Sequence, residues 1–318
     1  MNDRKDLQDY IYAIVSNDEE HSLCMLEMRS LFGRDCRFNL LRSHIEIEPS
    51  RSPFIKMRIK VMYEAERLQD IAEQVGAIEL GESTFKVLAI DNLEQGDEGK
   101  FTYDEKRALE REIGLRFRGK AEMRRPNREF GFARIGGRWV FGEVTQGAAV
   151  WLKHNDKPRK YSTALSTRVA RAVVNIAVPR IEGVRTIDPC CGIGTVLVEA
   201  LSMGIDIEGR EINPLAARGA RENLAFFGYG SVTVTLGDMR EITEKYDTAI
   251  IDMPYNLCSV ISPAEQLEML GSARRFAARV IFVTIERIDP IIEEAGFAIV
   301  DRCTVSKGSF TRHVLVCE

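Results

Sequence analysis

The spacing of apolar residues changes along this chain, and the change divides it. From residue 184 onward, apolar runs of strand length alternate with stretches whose apolar residues recur at helical spacing. The runs predict strands at 184–188, 205–210, 232–236, 247–252, 279–285, 297–305 and 311–317. Seven strands with helices between them in about 160 residues predict a doubly wound α/β domain with a Rossmann-like seven-stranded sheet. Only "KGSF" separates the last two strands, which is too short for a crossover helix, so they are expected to pair antiparallel.

The N-terminal half has a different texture. "YIYAIVS", "FIKMRIKVMYE" and "TFKVLAI" predict strands, while "HSLCMLEMRSLFG", "RLQDIAEQVG" and "YDEKRALEREIGLRF" predict helices. "REFGFARIGGRWVFGEV" predicts a hairpin turning at Gly136 and Gly137. This is an α+β arrangement. The boundary falls near residue 155, after which "ALSTRVARAVVNIAV" predicts an amphipathic helix that opens the second half.

Composition narrows the class. At 318 residues and 45% hydrophobic, the chain can bury a sizeable core and suits two domains better than one. It contains no apolar run of about 18 residues, and its start, "MNDRKDLQDY", is charged where a signal peptide is hydrophobic, so no membrane partner and a cytoplasmic location are expected. The seven cysteines are Cys24, Cys36, Cys190, Cys191, Cys258, Cys303 and Cys317; they form no CxxC pair and only four histidines accompany them. Reduced thiols and no metal site are the expectation.

Charge adds a direction. The chain has 44 Lys and Arg against 48 Asp and Glu, a net charge of −4. Residues 111–160 nevertheless hold thirteen basic side chains against five acidic ones, so that stretch is +8 and the remainder −12. Such asymmetry points to a surface for a polyanion.

The chemistry begins at "TIDPCCGIGTVLVEA", a strand, a tight loop and a helix. Gly192 and Gly194 let backbone approach a ligand, and the helix that follows offers its N-terminus to a negative group. A dinucleotide fingerprint fails here, because its third glycine position is Leu197. The strand instead ends in Asp188, a carboxylate suited to the cationic amino group of a methionine moiety. "GIDIEGREINP" ends the second strand in Glu211, about twenty residues on, where a carboxylate accepts hydrogen bonds from ribose hydroxyls. "VTVTLGDMRE" ends the third strand in Asp238, positioned for an adenine amino group. Three acids at successive strand ends, with Cys190, Gly192 and Gly194 in the first loop, predict an S-adenosyl-L-methionine site.

The fourth strand, "DTAIIDMPYN", delivers an acid, a proline carbonyl and an aromatic ring to the same end of the sheet. An exocyclic base amine is a poor nucleophile because its lone pair is delocalised into the ring. Asp252 and the Pro254 carbonyl can hold its N–H groups while Tyr255 stacks on an extruded base, so these three are the candidate catalytic residues. A thiolate mechanism of the pyrimidine carbon-5 kind would draw on Cys190, Cys191 or Cys258. The first two lie in the cofactor loop, where packing suits them, and the fourth-strand motif itself holds no cysteine.

These motifs resemble those of the THUMP-containing tRNA guanosine N2-methyltransferases, the archaeal and eukaryotic group acting at position 10 of tRNA. "DPCCGIGTVLVEA" stands where that family has "DPFCGTGGILIEA", "DMPYN" where it has "DPPYG", and "LSTRVARAVVNIA" is similar to its "LxPxLARALVNLA". Met253 replaces the first motif proline. The resemblance implies a class I methyltransferase domain at 160–318, a THUMP-like RNA-binding domain at 51–155 and a ferredoxin-like module at 1–50. It also implies RNA, most naturally tRNA, as partner, and it leaves open whether a small activating subunit joins. The basic stretch then supplies the candidate RNA contacts Arg124, Arg125, Arg128, Lys153, Arg159 and Lys160. Methylation of rRNA or of an adenine amine fits the same motif, and an RNA-binding protein with an inactive methyltransferase domain is a further alternative, with Met253 as its only support.

Overall fold

The computed structural model describes residues 7–36, 38–93, 100–254, 261–307 and 310–318. The chain divides into two units, one comprising Met1–Val15 and Cys36–Ala148, the other Ser16–Asp35 and Ala149–Glu318.

In the first unit, β1 (Tyr10–Ile14), β2 (Leu40–Ser43), β3 (Ile55–Ala65), β4 (Phe85–Ala89), β5 (Arg128–Ile135) and β6 (Arg138–Gln146) form one six-stranded sheet in the order β2-β1-β3-β6-β5-β4. Every pairing is antiparallel except β4 with β5. The expected hairpin is β5–β6, turning at Gly136 and Gly137, which adopt φ of 57° and 80°. Such positive values explain why glycine occupies both positions. In chain order the first helix, α1 (His21–Phe32), belongs to the second unit, and the next two belong here. α2 (Leu68–Val75) buries Leu68, Ile71, Ala72 and Val75, and α3 (Tyr103–Gly114) buries Ile113; both join a core with Phe85, Phe130, Phe132 and Phe141. Ile11, Met57, Ile59, Val140 and Val144 form a separate core cluster.

The second unit holds β7 (Thr186–Asp188), β8 (Ile207–Glu211), β9 (Val234–Leu236), β10 (Tyr246–Asp252), β11 (Ala277–Thr284), β12 (Ile299–Lys307) and β13 (Phe310–Cys317), ordered β12-β13-β11-β10-β7-β8-β9. All neighbours are parallel except those of β13, which runs antiparallel to β11 and β12. This is the expected mostly parallel sheet closed by an antiparallel hairpin. Ala249, Ile250 and Ile251 are fully buried, as in a strand covered on both faces. The helices are α4 (Thr167–Ala177), α5 (Thr195–Ser202), α6 (Pro214–Phe226), α7 (Pro263–Phe276) and α8 (Asp289–Glu294). Ser166, Asn213 and Ser262 cap α4, α6 and α7 with side-chain oxygens.

The N-terminal boundaries differ from those expected. Residues 1–50 are not a module of their own, because β1 pairs with β3 and brings β2 into the same sheet. Residues 16–35 instead belong with the second, seven-stranded sheet. α1 packs on α4 and β12, where Arg29 makes a paired contact to Asp301 at 2.8 and 2.9 Å. Its fully buried Glu27 accepts from Nδ2 of the fully buried Asn175 at 2.6 Å. Among the described residues no helix is long and apolar enough to cross a membrane.

Candidate active site

A pocket of about 460 Å³ opens at the carboxyl ends of β7, β8 and β10, a size within the usual range for small-molecule sites. Its lining includes Asp188, Cys190, Gly192, Glu211, Asp238, Asp252 and Pro254, so six of the expected cofactor and catalytic side chains and one glycine of the loop meet in one cavity. Gly194 stands behind the lining: a Cβ on it would approach Ala220 at 3.3 Å, and its φ is 79°. Gly192 has φ of 52°, with open space where a Cβ would point. Glycine at both positions follows from the backbone.

Each acid is held differently. Asp188 is 3% exposed and accepts the Cys190 N–H at 3.2 Å. Burial pushes its carboxyl well above the usual carboxylate range, with the charges of Asp252 and Glu211 adding to the effect. Glu211 uses both oxygens: Oε2 accepts the Gly192 N–H at 2.7 Å, and Oε1 accepts the Asn213 N–H at 2.8 Å. Each oxygen keeps a second lone pair for a ligand hydroxyl. Asp238 accepts from the Arg240 backbone N–H at 2.8 Å and from its guanidinium at 2.6 and 2.9 Å, and that guanidinium holds its carboxyl below the usual range. Asp252 ends β10 half-buried on the same pocket.

Met253 is 4% exposed in the core beside β10, and its N–H donates to the Val283 carbonyl at 2.8 Å. That bond extends the β10–β11 ladder by one step at the position where the family motif has a proline, which could not donate it. Tyr255 and Cys258 lie outside the described residues. Burial, then the charges of Asp188 and Glu211, push the Cys190 and Cys191 thiols well up, which suits packing rather than nucleophilic attack.

Several residues of the site escaped the sequence. Arg240 clamps Asp238, and Ile261, Glu265 and Met269 also line the pocket. A strap formed by residues 159–165 contributes Tyr161, Thr163, Ala164 and Leu165. Fully buried Asn223 on α6 fixes it, accepting the Arg159 N–H at 2.9 Å and donating to the Arg159 carbonyl at 3.0 Å and the Ile193 carbonyl at 2.8 Å. From the other side, Arg312 donates to the Thr163 carbonyl at 2.9 Å. A lone Asn on the apolar face of "RENLAFF" was the available signal. α5 is also anchored at its far end, where fully buried Glu199 meets Arg171 at 2.9 Å and His154 at 2.7 Å.

The basic candidates divide. Arg124, Arg125, Lys153 and Lys160 are exposed. Arg128 and Arg159 are already committed to carboxylates, Arg128 to Glu143 at 2.8 Å and Arg159 to Glu222.

Parts of the chain resemble known proteins. Residues 155–270 match the model of the family UPF0020, described as an RMKL-like methyltransferase domain. A tRNA (guanine(10)-N2)-dimethyltransferase of Methanothermobacter thermautotrophicus is 34% identical over 116 residues, covering 36% of this chain and 34% of that protein. The enzyme of the same name from Pyrococcus abyssi is 30% identical over 126 residues, 38% of this chain and 37% of that one. These matches span about a third of the relatives' length. Among solved structures, TrmN from Thermus thermophilus superposes with a TM-score of 0.51 at 18% identity, covering 98% of this chain and 99% of that one. The likeness shows a shared fold, the class I methyltransferase fold, and residues 155–270 are the part that matches the family model.

Proposed function

We propose that this chain is an S-adenosylmethionine-dependent RNA methyltransferase acting on the exocyclic N2 amine of a guanosine in tRNA. The observation that carries the reading is the single pocket lined by Asp188, Glu211 and Asp238 together with Asp252 and Pro254. In this reading Asp188 takes the cofactor's ammonium group, Glu211 its ribose hydroxyls and Asp238 its adenine amino group. The bound cofactor supplies an electrophilic methyl group on a positively charged sulfur. The protein's own task is then positioning: the Asp252 carboxylate and the Pro254 carbonyl hold the amine's N–H groups and turn its lone pair toward the methyl group. The base must leave its stack to reach them.

The names of the curated relatives support guanine N2 in tRNA as the target. The first unit is read as THUMP-like, its surface presenting Arg124 and Arg125 to phosphates while Lys153 and Lys160 add to the positive stretch. Arg128 and Arg159 take a smaller part, because their charges are met within the protein.

The test is methyl incorporation from labelled cofactor into unmodified tRNA, followed by nucleoside mass spectrometry. N2-methylated guanosine is the expected product. Asp252→Ala should reduce transfer to near background while cofactor affinity stays within a few fold. Methylation at another atom, or full turnover by the variant, would refute the assignment.

A further inference from the structure

We propose that Tyr161, on the strap at the pocket wall, takes the face of the extruded base and so positions its amine for methyl transfer. The inference rests on the RNA methyltransferase reading above and adds a base-positioning residue to it.

Tyr161 is the sole aromatic residue among the described residues lining the pocket. It is 61% exposed, and among the described residues its hydroxyl makes no hydrogen bond. A ring left open at a cavity wall offers a flat apolar face for a ligand to cover, and every nucleobase has a π-face to match it. An extruded base needs such a face, because it gives up the stacking it had within the RNA. Met253, Ile261 and Met269 line the same pocket but offer no planar surface.

The strap mounts the ring between two anchors. On one side, fully buried Asn223 accepts the Arg159 N–H at 2.9 Å and donates to the Arg159 carbonyl at 3.0 Å. On the other, Arg312 donates to the Thr163 carbonyl at 2.9 Å, and the Ala164 N–H closes a turn onto the Tyr161 carbonyl at 3.2 Å. Tyr161 thus stands two residues from a fixed point in each direction. Two peptide units leave its backbone little slack.

The sheet order decides which ligand the ring meets. Asn223 also donates to the Ile193 carbonyl in the loop after β7, whereas Arg312 lies near the start of β13, beside the carboxyl end of β11. Within the order β13-β11-β10-β7-β8-β9, the strap therefore runs from the β7 side to the β13 side, across the end of β10. Asp252 and Pro254, the groups read as holding the amine, stand at that end. The cofactor's adenine is read at Asp238, which follows β9 at the opposite edge. An aromatic ring on the β10 side is accordingly placed for the substrate base.

Steady-state methylation of unmodified tRNA by the full chain, with calorimetric titration of S-adenosylmethionine alongside, tests the proposal. Tyr161→Ala is expected to lower kcat/KM for tRNA about five- to a hundredfold while cofactor affinity stays within about twofold. Tyr161→Phe and Tyr161→Trp, which keep a ring, should restore most of the loss. An unchanged kcat/KM for Tyr161→Ala would overturn the assignment, and so would a Phe variant as impaired as the Ala one. A parallel loss of cofactor affinity would place the ring on the cofactor and overturn it as well. Tyr161→Ala should melt with wild type, and a lost folded state would show the ring to be structural. Wild type that binds the cofactor yet methylates no tRNA would refute the substrate reading itself, a result distinct from a variant that turns over normally.

Discussion

The Gly192 N–H donates to Glu211 Oε2 at 2.7 Å, tying the glycine loop after β7 to the acid that ends β8. Under the proposed function Glu211 has two tasks: it shapes the glycine loop, and it offers its remaining lone pairs to the cofactor's ribose. Charge-assisted bonds of this kind contribute about 1.5–3 kcal/mol. Glu211→Ala is expected to weaken S-adenosylmethionine binding at least about tenfold by calorimetry. Unchanged affinity would remove Glu211 from the site.

Asp188 should impose a pH dependence. Its carboxyl is raised by burial, so the folded protein holds that proton more tightly than the unfolded chain. The associated stability is present at pH below the ordinary carboxylate value and is lost as pH rises through the raised one. Asp188→Asn keeps an acceptor for the Cys190 N–H and has no such dependence. The melting temperature of this variant minus that of wild type should therefore increase from about pH 4 upward. A bound ammonium favours the carboxylate, so wild-type cofactor affinity should rise over the same window. A pH-independent difference between the two proteins would sink the idea.

Met253→Pro restores the family motif and should harm this protein. It removes the N–H bonded to the Val283 carbonyl and a side chain that is 4% exposed. An orphaned buried carbonyl alone costs about 1–3 kcal/mol. Urea unfolding should show a loss of about 2 kcal/mol or more. A variant as stable as wild type would show that the extra ladder bond contributes little.

Arg124 and Arg125 are exposed, and their backbone N–H groups, rather than their guanidinium groups, bond Glu122 at 2.8 and 3.4 Å. Replacing both with alanine should weaken tRNA binding and make the plot of log affinity against log salt shallower by up to about two units. Arg128→Ala, which breaks the pair with Glu143, should change the slope less. Equal effects from Arg128→Ala and the double variant would mean that internal pairing does not decide which arginines meet RNA.

How much was legible depended on whether the signal was local. All seven strands of the second sheet were readable from apolar runs, most plainly β10, which is buried on both faces and therefore continuous in sequence. The strand-end acids were readable because each terminates such a run. β2 was missed: four residues on a sheet edge, only one of them buried, carry almost no pattern. The helix at 21–32 was recognised, but its sheet was misjudged, since an amphipathic stripe states that a face is covered and not by what. Its partners, Asn175 and Asp301, are far along the chain. A fragment of 160–318 consequently lacks a helix of its own unit. Asn223 gave only the faint signal of a polar residue on an apolar face, because its three amide bonds are properties of surroundings.

The attachment of α1 to α4 and β12 has a consequence for the order of events during synthesis. The helix leaves the ribosome well before the strand carrying Asp301, whose partner Arg29 lies 272 residues earlier in the chain. At about 5–20 residues per second, α1 waits on the order of tens of seconds for that strand. Leu23, Leu26, Met28 and Leu31, all buried in the finished fold, lack part of their final cover for that interval. The first sheet, whose strands are all made by residue 146, can close meanwhile around a loop that carries a helix belonging elsewhere. Completion of the second unit is thus a late, long-range closure, and the nascent helix is the segment most in need of protection until it occurs.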